Sequence, residues 1–191
     1  MSVSRRLRES VLKTGWSWGL YTPPDRRVLD AVMTAFSKRE DCRRVLFVGV
    51  KAYNQPLRAL FKGRTFATID PTPEVARYGG DPHWIDVLEN LDHHAEPESF
   101  DLVVMNGVIG FGLNDPKNVE KALSQVFRVL RPGGHLMLGI NERIPTHVPL
   151  GSIQAMTQFR PRPFELFGTA RHVVETPFRE ETHTFEFYEK P

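Results

Sequence analysis

The stretch FDLVVMNGVIGFGLNDPKNVEKALSQVFRVLRPGGHLMLGI, residues 100–140, holds two apolar runs separated by an amphipathic segment. The run Leu102 to Met105 is apolar without alternation, which predicts a strand covered on both faces. The segment between the runs places one apolar face at helical spacing, and Pro132-Gly133-Gly134 is a typical helix stop. That face consists of Val119, Ala122, Leu123, Val126, Phe127 and Leu130. The stretch therefore predicts strand, helix and strand in succession.

Similar apolar runs lie on both sides of this stretch. A helical pattern over 25–36 precedes three short strand patterns, RRVLFVGV at 43–50, RTFATID at 64–70 and HWIDVL at 83–88. The chain closes with two alternating runs, 171–178 and 182–190, which are typical of an antiparallel pair. Alternating strands and helices predict an α/β fold with a doubly wound, mostly parallel seven-stranded sheet and a C-terminal antiparallel hairpin.

Composition restricts the function classes. The net charge of +2 over 191 residues is too small to favour nucleic acid or an anionic membrane as a partner. Cys42 is the only cysteine, which excludes an internal disulfide and a cysteine-based metal cluster. The basic N-terminus lacks the apolar stretch of a signal peptide, and no run has the ~20 apolar residues of a membrane helix. We expect a soluble, cytoplasmic, single-domain protein.

Polar residues and glycines follow several of the predicted strands. Asp70 comes 21 residues after Gly49, close to the spacing at which an acid binds a ribose in nucleotide-binding folds. Asp86 ends the third run, where it could accept a hydrogen bond from an exocyclic amine, and Asn106-Gly107 follows the fourth. Each also has a simpler explanation. Asp70 could cap the following short helix, Asp86 could be a solvated loop acid, and Asn106 could form a turn.

Taken in order, the motifs VLFVGVKAYN, FATIDP, WIDVL, FDLVVMNGVIGFG and FRVLRPGGHLMLGI resemble the class I S-adenosylmethionine-dependent methyltransferases. The resemblance covers residues 43–140, and the closing hairpin also fits that fold. It implies a cofactor-binding core at 43–140, preceded by an N-terminal flap and helix at 1–42. The remaining parts would be a substrate-side insertion at 141–170 and the terminal hairpin at 171–191.

The resemblance also implies that S-adenosylmethionine is the cofactor and assigns residues to it. Gly49 would lie beneath its methionine part, Asp70 would hold the ribose, and Val50 and Lys51 would also belong to the cofactor site. Asp86 and Val87 would flank the adenine, with Asn106 and Gly107 near the transferred methyl group.

The first motif departs from the family pattern. Phe47 stands where an acidic residue is usual, and Lys51 and Tyr53 replace glycines. The Lys51 ammonium could bind the carboxylate of the methionine moiety or an anionic substrate, or it could be solvated. Tyr53 and Asn54 could supply hydrogen bonds in place of the lost glycine backbone. Tyr53 could instead fill the pocket of a non-catalytic relative.

The sequence offers few acid–base residues, and methyl transfer from a sulfonium needs few. Glu142 and His147 follow the fifth strand and are the candidate general bases. His93 and His94 are adjacent, without the spacing of a metal site, so no metal is predicted. The first hypothesis is methyl transfer to an oxygen or nitrogen nucleophile of a small-molecule substrate, such as a biosynthetic intermediate. The alternative is a non-catalytic, methyltransferase-like partner subunit, and a homodimer is compatible with either.

Overall fold

The computed structural model describes residues 22–142, 144–175 and 182–191. Three α-helices lie in these ranges: α1 Pro24–Lys38, α2 Gln55–Ala59 and α3 Pro116–Val129. Eight strands are described as well, β1 Arg44–Val48, β2 Thr65–Ile69, β3 His83–Trp84, β4 Phe100–Asn106, β5 Leu130–Asn141, β6 Arg160–Pro161, β7 Arg171–Glu175 and β8 Thr182–Glu189. Residues 1–21 of the predicted N-terminal flap fall outside the described residues.

All eight strands form one sheet, in the order β3-β2-β1-β4-β5-β8 with both β6 and β7 paired to β8. The pairs from β3 to β5 are parallel, whereas β8 runs antiparallel to β5, β6 and β7. The doubly wound, mostly parallel fold with a terminal antiparallel pair is confirmed. The sheet has eight strands, one more than the seven expected. The additional strand is the two-residue β6, which pairs with β8 next to β7 and has no sequence signal of its own.

Alternation along the strands divides the core between the two faces of the sheet. On β1, Leu46 and Val48 belong to the cluster that packs against α3, whereas Val45 and Phe47 belong to the cluster beneath α1. Phe47 is only 2% exposed, so the residue in the usual acidic position is part of the core. Burying a side chain of this size stabilises the fold by about 1.5–3 kcal/mol.

The first turn of α3 shows why the helix begins where it does. The Asp115 carboxylate accepts hydrogen bonds from the backbone nitrogens of Lys117 and Asn118, at 2.8 and 3.4 Å. Pro116 occupies the first helical position, where it loses no intrahelical bond. The helix ends at Val129, and β5 begins at once with Leu130, so the predicted proline–glycine stop lies inside the start of the strand.

No helix among the described residues is both long enough and apolar enough to cross a membrane.

Candidate functional site

The carboxyl ends of three adjacent strands meet at one edge of the sheet. Val48 of β1 pairs with Ile69 of β2 on one side and with Met105 of β4 on the other. The residues that follow these three are Gly49, Asp70 and Asn106, so the sheet register brings the predicted positions to the same edge. After β1 the chain forms β2 on one side of β1, and it later forms β4 on the other side of β1. Ligands of open α/β sheets bind at such a switch point.

Asp70 is a buried polar side chain at this edge. It is 6% exposed, and its Oδ2 accepts a 2.7 Å hydrogen bond from the Val50 backbone nitrogen. Its Oδ1 accepts from the Thr72 nitrogen at 2.9 Å, in the turn that precedes the short 3-10 helix Pro73–Tyr78. That helix starts after Thr72 without a side-chain cap, so Asp70 does not have the capping role considered from the sequence. A carboxylate has about four acceptor sites, and these two bonds leave one on each oxygen. Asp70 can therefore also accept from two neighbouring hydroxyl groups.

The backbone after β1 and after β4, the next two strands beyond that of Asp70, has the conformation of a close-approach site. Gly49 and Gly107 have φ values of +77° and +67°, which side-chain-bearing residues rarely adopt. Val50 is buried at 2% exposure, whereas Lys51 is exposed and its backbone is extended. Within the described ranges, the Lys51 ammonium makes no ion pair, so its charge is available to an anionic ligand.

The rebuilt loop after β1 contacts the start of α1. The guanidinium of Arg26 lies 3.9 Å from the centroid of the Tyr53 ring, a cation–π distance. The ring is nonetheless 45% exposed. Tyr53 thus links the loop to α1, a role that its sequence position did not indicate.

Asp86 is held in a local network at the end of β3. Its carboxylate accepts from the Val87 nitrogen, from the Asn90 amide and at 2.9 Å from His94. The His94 contact, followed by the Asn90 and Val87 hydrogen bonds, lowers the pKa of Asp86 to about 2. His94 also stacks on Trp84, with ring centroids 5.4 Å apart. The described residues contain no group of three or more metal-ligating side chains, His93 and His94 included.

A buried histidine that sequence reasoning missed joins the ends of β4, β5 and β8. His183 is 3% exposed, with Nε2 at 3.0 Å from the side chain of Asn106 and Nδ1 at 2.7 Å from that of Asn141. Gly139 leaves room for this contact. A β-carbon there would lie 1.9 Å from the Asn106 side-chain oxygen. The alternation of 182–190 carried a signal, because it puts His183 on the same face as Phe185 and Phe187.

The two candidate bases differ in their surroundings. Glu142 pairs with Arg171. Burial would raise the pKa of Glu142, but the hydrogen bond from Arg171 and the charges of Arg171 and His147 together lower it. The Nδ1 atom of His147 is buried and has no hydrogen-bond partner in the part of the chain that the structure describes. Of the two candidates, His147 is therefore the one with a side-chain atom that lacks a hydrogen-bond partner among the described residues.

Comparison with known proteins agrees with this geometry. Residues 48–138 match the family model described as a methyltransferase domain. Just under half of the chain is therefore similar to a methyltransferase domain. The matched span runs from the last residue of β1 to Leu138 of β5, so it contains the whole edge at which Gly49, Asp70 and Asn106 meet.

Solved structures share the fold at low sequence identity. The N-methyltransferase NodS from Bradyrhizobium japonicum WM9 is 17% identical with a TM-score of 0.66, over 88% of this chain and 97% of its own. The 1,6-didemethyltoxoflavin-N1-methyltransferase of Burkholderia thailandensis is also 17% identical, with a TM-score of 0.62 over 98% and 87% of the two chains. Its structure contains 1,6-didemethyltoxoflavin and S-adenosylhomocysteine. No protein of curated function matches the chain by sequence.

S-adenosylmethionine, the cofactor of this family, fits the described residues of the matched span. Asp70 retains acceptor capacity for a ribose, the two positive-φ glycines allow close approach, and Lys51 offers a cation for a carboxylate. Three cavities of the described chain lie elsewhere, lined by residues such as Asp101 and Arg131, Phe61 and Asp81, or His135 and Phe164. The site is therefore assigned from its donors, acceptors and backbone, not from cavity volume.

Proposed function

We propose that this domain transfers a methyl group from S-adenosylmethionine to a nitrogen or oxygen nucleophile of a small molecule. The observation that carries the proposal is Asp70, a buried carboxylate with spare acceptor sites at the switch point of the sheet. The names of two structural neighbours, NodS and the toxoflavin enzyme, support nitrogen methylation of a small molecule as the reaction class.

In this proposal the residues of the first two strand ends hold the cofactor. Asp70 accepts hydrogen bonds from the ribose hydroxyls, and Gly49 and Val50 lie beneath the methionine part. Lys51 binds the methionine carboxylate, which compensates for the glycines that the loop lacks. An ammonium–carboxylate contact is a charge-assisted interaction, stronger than a neutral hydrogen bond.

The remaining residues bind the adenine and the reacting groups. Asp86 and Val87 flank the adenine, although the contacts of Asp86 with His94 and Asn90 reduce its free acceptor sites. Asn106 and Gly107 lie near the transferred methyl group. S-adenosylmethionine supplies an activated methyl group, so the protein's main contribution is to align the acceptor and exclude water. His147 is the candidate base for an acceptor that must lose a proton.

Calorimetric titration with S-adenosylmethionine and S-adenosylhomocysteine tests the proposal. We expect micromolar binding by the natural sequence and a loss of about tenfold or more in Asp70→Ala, because two hydroxyl hydrogen bonds to a charged group are removed. Asp92→Ala is the matched control, since it removes an exposed carboxylate of the same charge from the 3-10 helix Leu88–His93. A folded protein that binds neither compound at millimolar concentration contradicts the proposal.

The second candidate is a non-catalytic partner protein with a methyltransferase fold. The core position of Phe47 and the Arg26–Tyr53 contact favour it, because both replace features that usually serve the cofactor. The same titration separates the two functions. A non-catalytic partner protein would give no heat of cofactor binding in the titration. Its Asp70→Ala variant would still bind the protein with which it associates.

A further inference from the structure

A cavity of about 440 Å³ lies at the amino-terminal edge of the sheet, opposite the edge that carries Asp70. Its lining includes the first residues of β1 and β2, Arg44 and Thr65, and the second residues of β4 and β5, Asp101 and Arg131. β1 has five residues, so at ~3.3 Å per residue the two edges are roughly 16 Å apart. A ligand in this cavity would therefore lie outside the proposed cofactor site.

The two carboxylates that line this cavity are already paired. The buried Asp101 accepts hydrogen bonds on Oδ2 from the backbone nitrogens of residues 43 and 44, at 2.8 and 2.7 Å. Its Oδ1 accepts a bond of 2.7 Å from Nε of Arg131. Asp41 accepts two hydrogen bonds from the guanidinium of Arg39, at 3.0 and 2.9 Å. Arg131 and Arg39 thus balance the two negative charges.

Three further arginines of the cavity have no carboxylate of their own. Arg43 is exposed and makes no ion pair in the described part of the chain. Arg44 comes within 3.5 Å of Asp101, but Arg131 already pairs with that carboxylate at a shorter distance. Arg64 makes no ion pair with any described residue. The cavity therefore carries an excess of positive charge that an anion would balance.

Arg64 is held in a fixed orientation without a ligand. Its Nη1 donates to the backbone oxygens of Arg39 and Cys42, at 2.9 and 2.8 Å, and the side chain is half-buried. Its Nε and Nη2 atoms make no hydrogen bond within the described ranges. These two nitrogens lie on the same side of the guanidinium, the side that binds a phosphate or carboxylate through two parallel hydrogen bonds.

A second cavity, of about 600 Å³, shares residues 63–65 with the first. Arg58 and Lys62 line it and add two exposed cations, against the single carboxylate of Asp81. Arg58 donates to the backbone oxygen of Gly79, so its charge is not paired by that bond. The volume lies within the range of small-molecule sites. The second cavity thus offers room for the rest of a molecule whose anionic group lies at Arg64.

The charges favour a phosphoryl group over a carboxylate as that anion. A phosphate ester carries a charge of about −1.5 to −2 at pH 7 and three acceptor oxygens, whereas a carboxylate carries one charge and two oxygens. Three arginines without a carboxylate of their own, Arg43, Arg44 and Arg64, match the larger charge and the larger number of acceptors.

The aromatic residues of the lining favour a small molecule over single-stranded nucleic acid. Proteins that bind single strands stack bases on accessible aromatic rings. Phe61 and Phe66 line the second cavity, but both are buried and belong to the hydrophobic core. The site therefore has cations for a phosphoryl group but no ring for a base.

We propose that these two cavities bind a phosphorylated small molecule. Its phosphoryl group lies against Arg43, Arg44 and Arg64 at the amino-terminal edge of the sheet, and the remainder lies in the second cavity. This site is separate from the one that holds S-adenosylmethionine in the proposed function, and it does not depend on that function.

Titration with inorganic phosphate at pH 7 and low ionic strength tests the site. We expect saturable binding of one phosphate with a dissociation constant of about 1 mM or lower, and a shift of the Arg64 Nε–H resonance in ¹H–¹⁵N spectra. Acetate should bind at least about tenfold more weakly, because it carries one charge. S-adenosylhomocysteine should not displace phosphate, since the two sites lie at opposite edges of the sheet.

Variants locate the bound phosphate. Arg43→Gln and Arg64→Gln should each weaken phosphate by about tenfold, because each removes a charge-assisted contact. Arg64→Gln also loses two bonds to backbone oxygens, so Arg43→Gln provides the test if the other variant does not fold. Arg160→Gln is the matched control, since Arg160 is an exposed arginine on β6 and lines neither cavity. It should leave phosphate binding unchanged.

Four results would overturn the proposal. They are no saturation by a folded protein at roughly 10 mM phosphate, equal affinity for acetate, an equal effect of Arg160→Gln and Arg43→Gln, or displacement of phosphate by S-adenosylhomocysteine. Binding of single-stranded oligothymidylate without binding of phosphate would also overturn it and indicate a nucleic-acid surface. Failure of the proposed function is distinct, because it would abolish S-adenosylhomocysteine binding and leave phosphate binding intact.

Discussion

The carboxylate of Asp70 lies 2.7 Å from the backbone nitrogen of Val50, across the gap between the ends of β2 and β1. A second bond, from the Thr72 nitrogen, ties the same carboxylate to the segment that follows β2. One side chain thus fixes the loops on both sides of the proposed ribose position.

Asp70→Ala should therefore affect stability as well as cofactor binding. Two backbone nitrogens lose their acceptor, and we expect the free energy of unfolding to fall by about 1–3 kcal/mol. Urea denaturation at pH 7 measures this loss. S-adenosylhomocysteine should raise the melting temperature of the natural protein and not that of the variant. Equal stabilisation of both proteins by the ligand would contradict the role of Asp70.

Lys51 should contribute to the binding affinity only of ligands that carry the methionine carboxylate. Lys51→Ala should weaken the binding of S-adenosylhomocysteine by about tenfold, because a charge-assisted contact is lost. The binding of adenosine, which lacks that carboxylate, should not change. Competition binding with the two ligands measures the difference. Lys62→Ala is the control, since Lys62 is an exposed lysine on the loop that follows α2. Equal weakening of both ligands would mean that Lys51 supports the site only indirectly.

The two buried histidines should make the fold sensitive to acid. Burial lowers the pKa of both His135 and His183 to about 4, with Arg39 assisting the shift at His135 and Arg26 at His183. Glu189, Asp41 and Asp25 oppose these shifts. The unfolded chain binds protons at these side chains near pH 6.5, and the folded chain does not until about pH 4.

Their contribution to stability is thus fully present above pH 6.5 and is lost as the pH falls toward 4. Each histidine adds up to about 1.4 kcal/mol per pH unit to the slope of the free energy of unfolding against pH. Urea denaturation between pH 4 and 7 measures it. His135→Phe and His183→Phe should each flatten the dependence, and a flat profile in the natural protein would show that neither histidine resists protonation in the fold.

Gly139→Ala should disturb the His183 network directly. The new β-carbon would lie 1.9 Å from the Asn106 oxygen, so the amide or the strand must move. We expect a loss of about 1–3 kcal/mol in the free energy of unfolding, as for other overpacked sites, with a change in the His183 ring resonances. Gly151→Ala is the control, because nothing lies within 4 Å of a β-carbon there. If Gly139→Ala changes neither the free energy of unfolding nor the His183 resonances, Asn106 does not lie against Gly139.

The sequence by itself determined the strand–helix order and the parallel sheet, because each depends on local periodicity. The non-alternating run of β4, the amphipathic face of α3 and the closing alternation are all visible in the chain. It also marked Asp70 and Asn106, since a polar residue directly after a buried strand must lie at the carboxyl edge of a parallel sheet. Phe47, Lys51 and Tyr53 were recognisable as departures from the usual motif.

Only the tertiary structure decided which side chains meet across that edge. The Asp86–His94 contact, the Arg26–Tyr53 contact and the Asn106–His183–Asn141 network join residues 8, 27, 77 and 42 positions apart. Such contacts depend on strand order and register, and a shift of one residue between β5 and β8 would turn His183 to the opposite face. The sequence pattern specifies which face of each element is buried, but the neighbour on that face is set by the packing of the whole sheet.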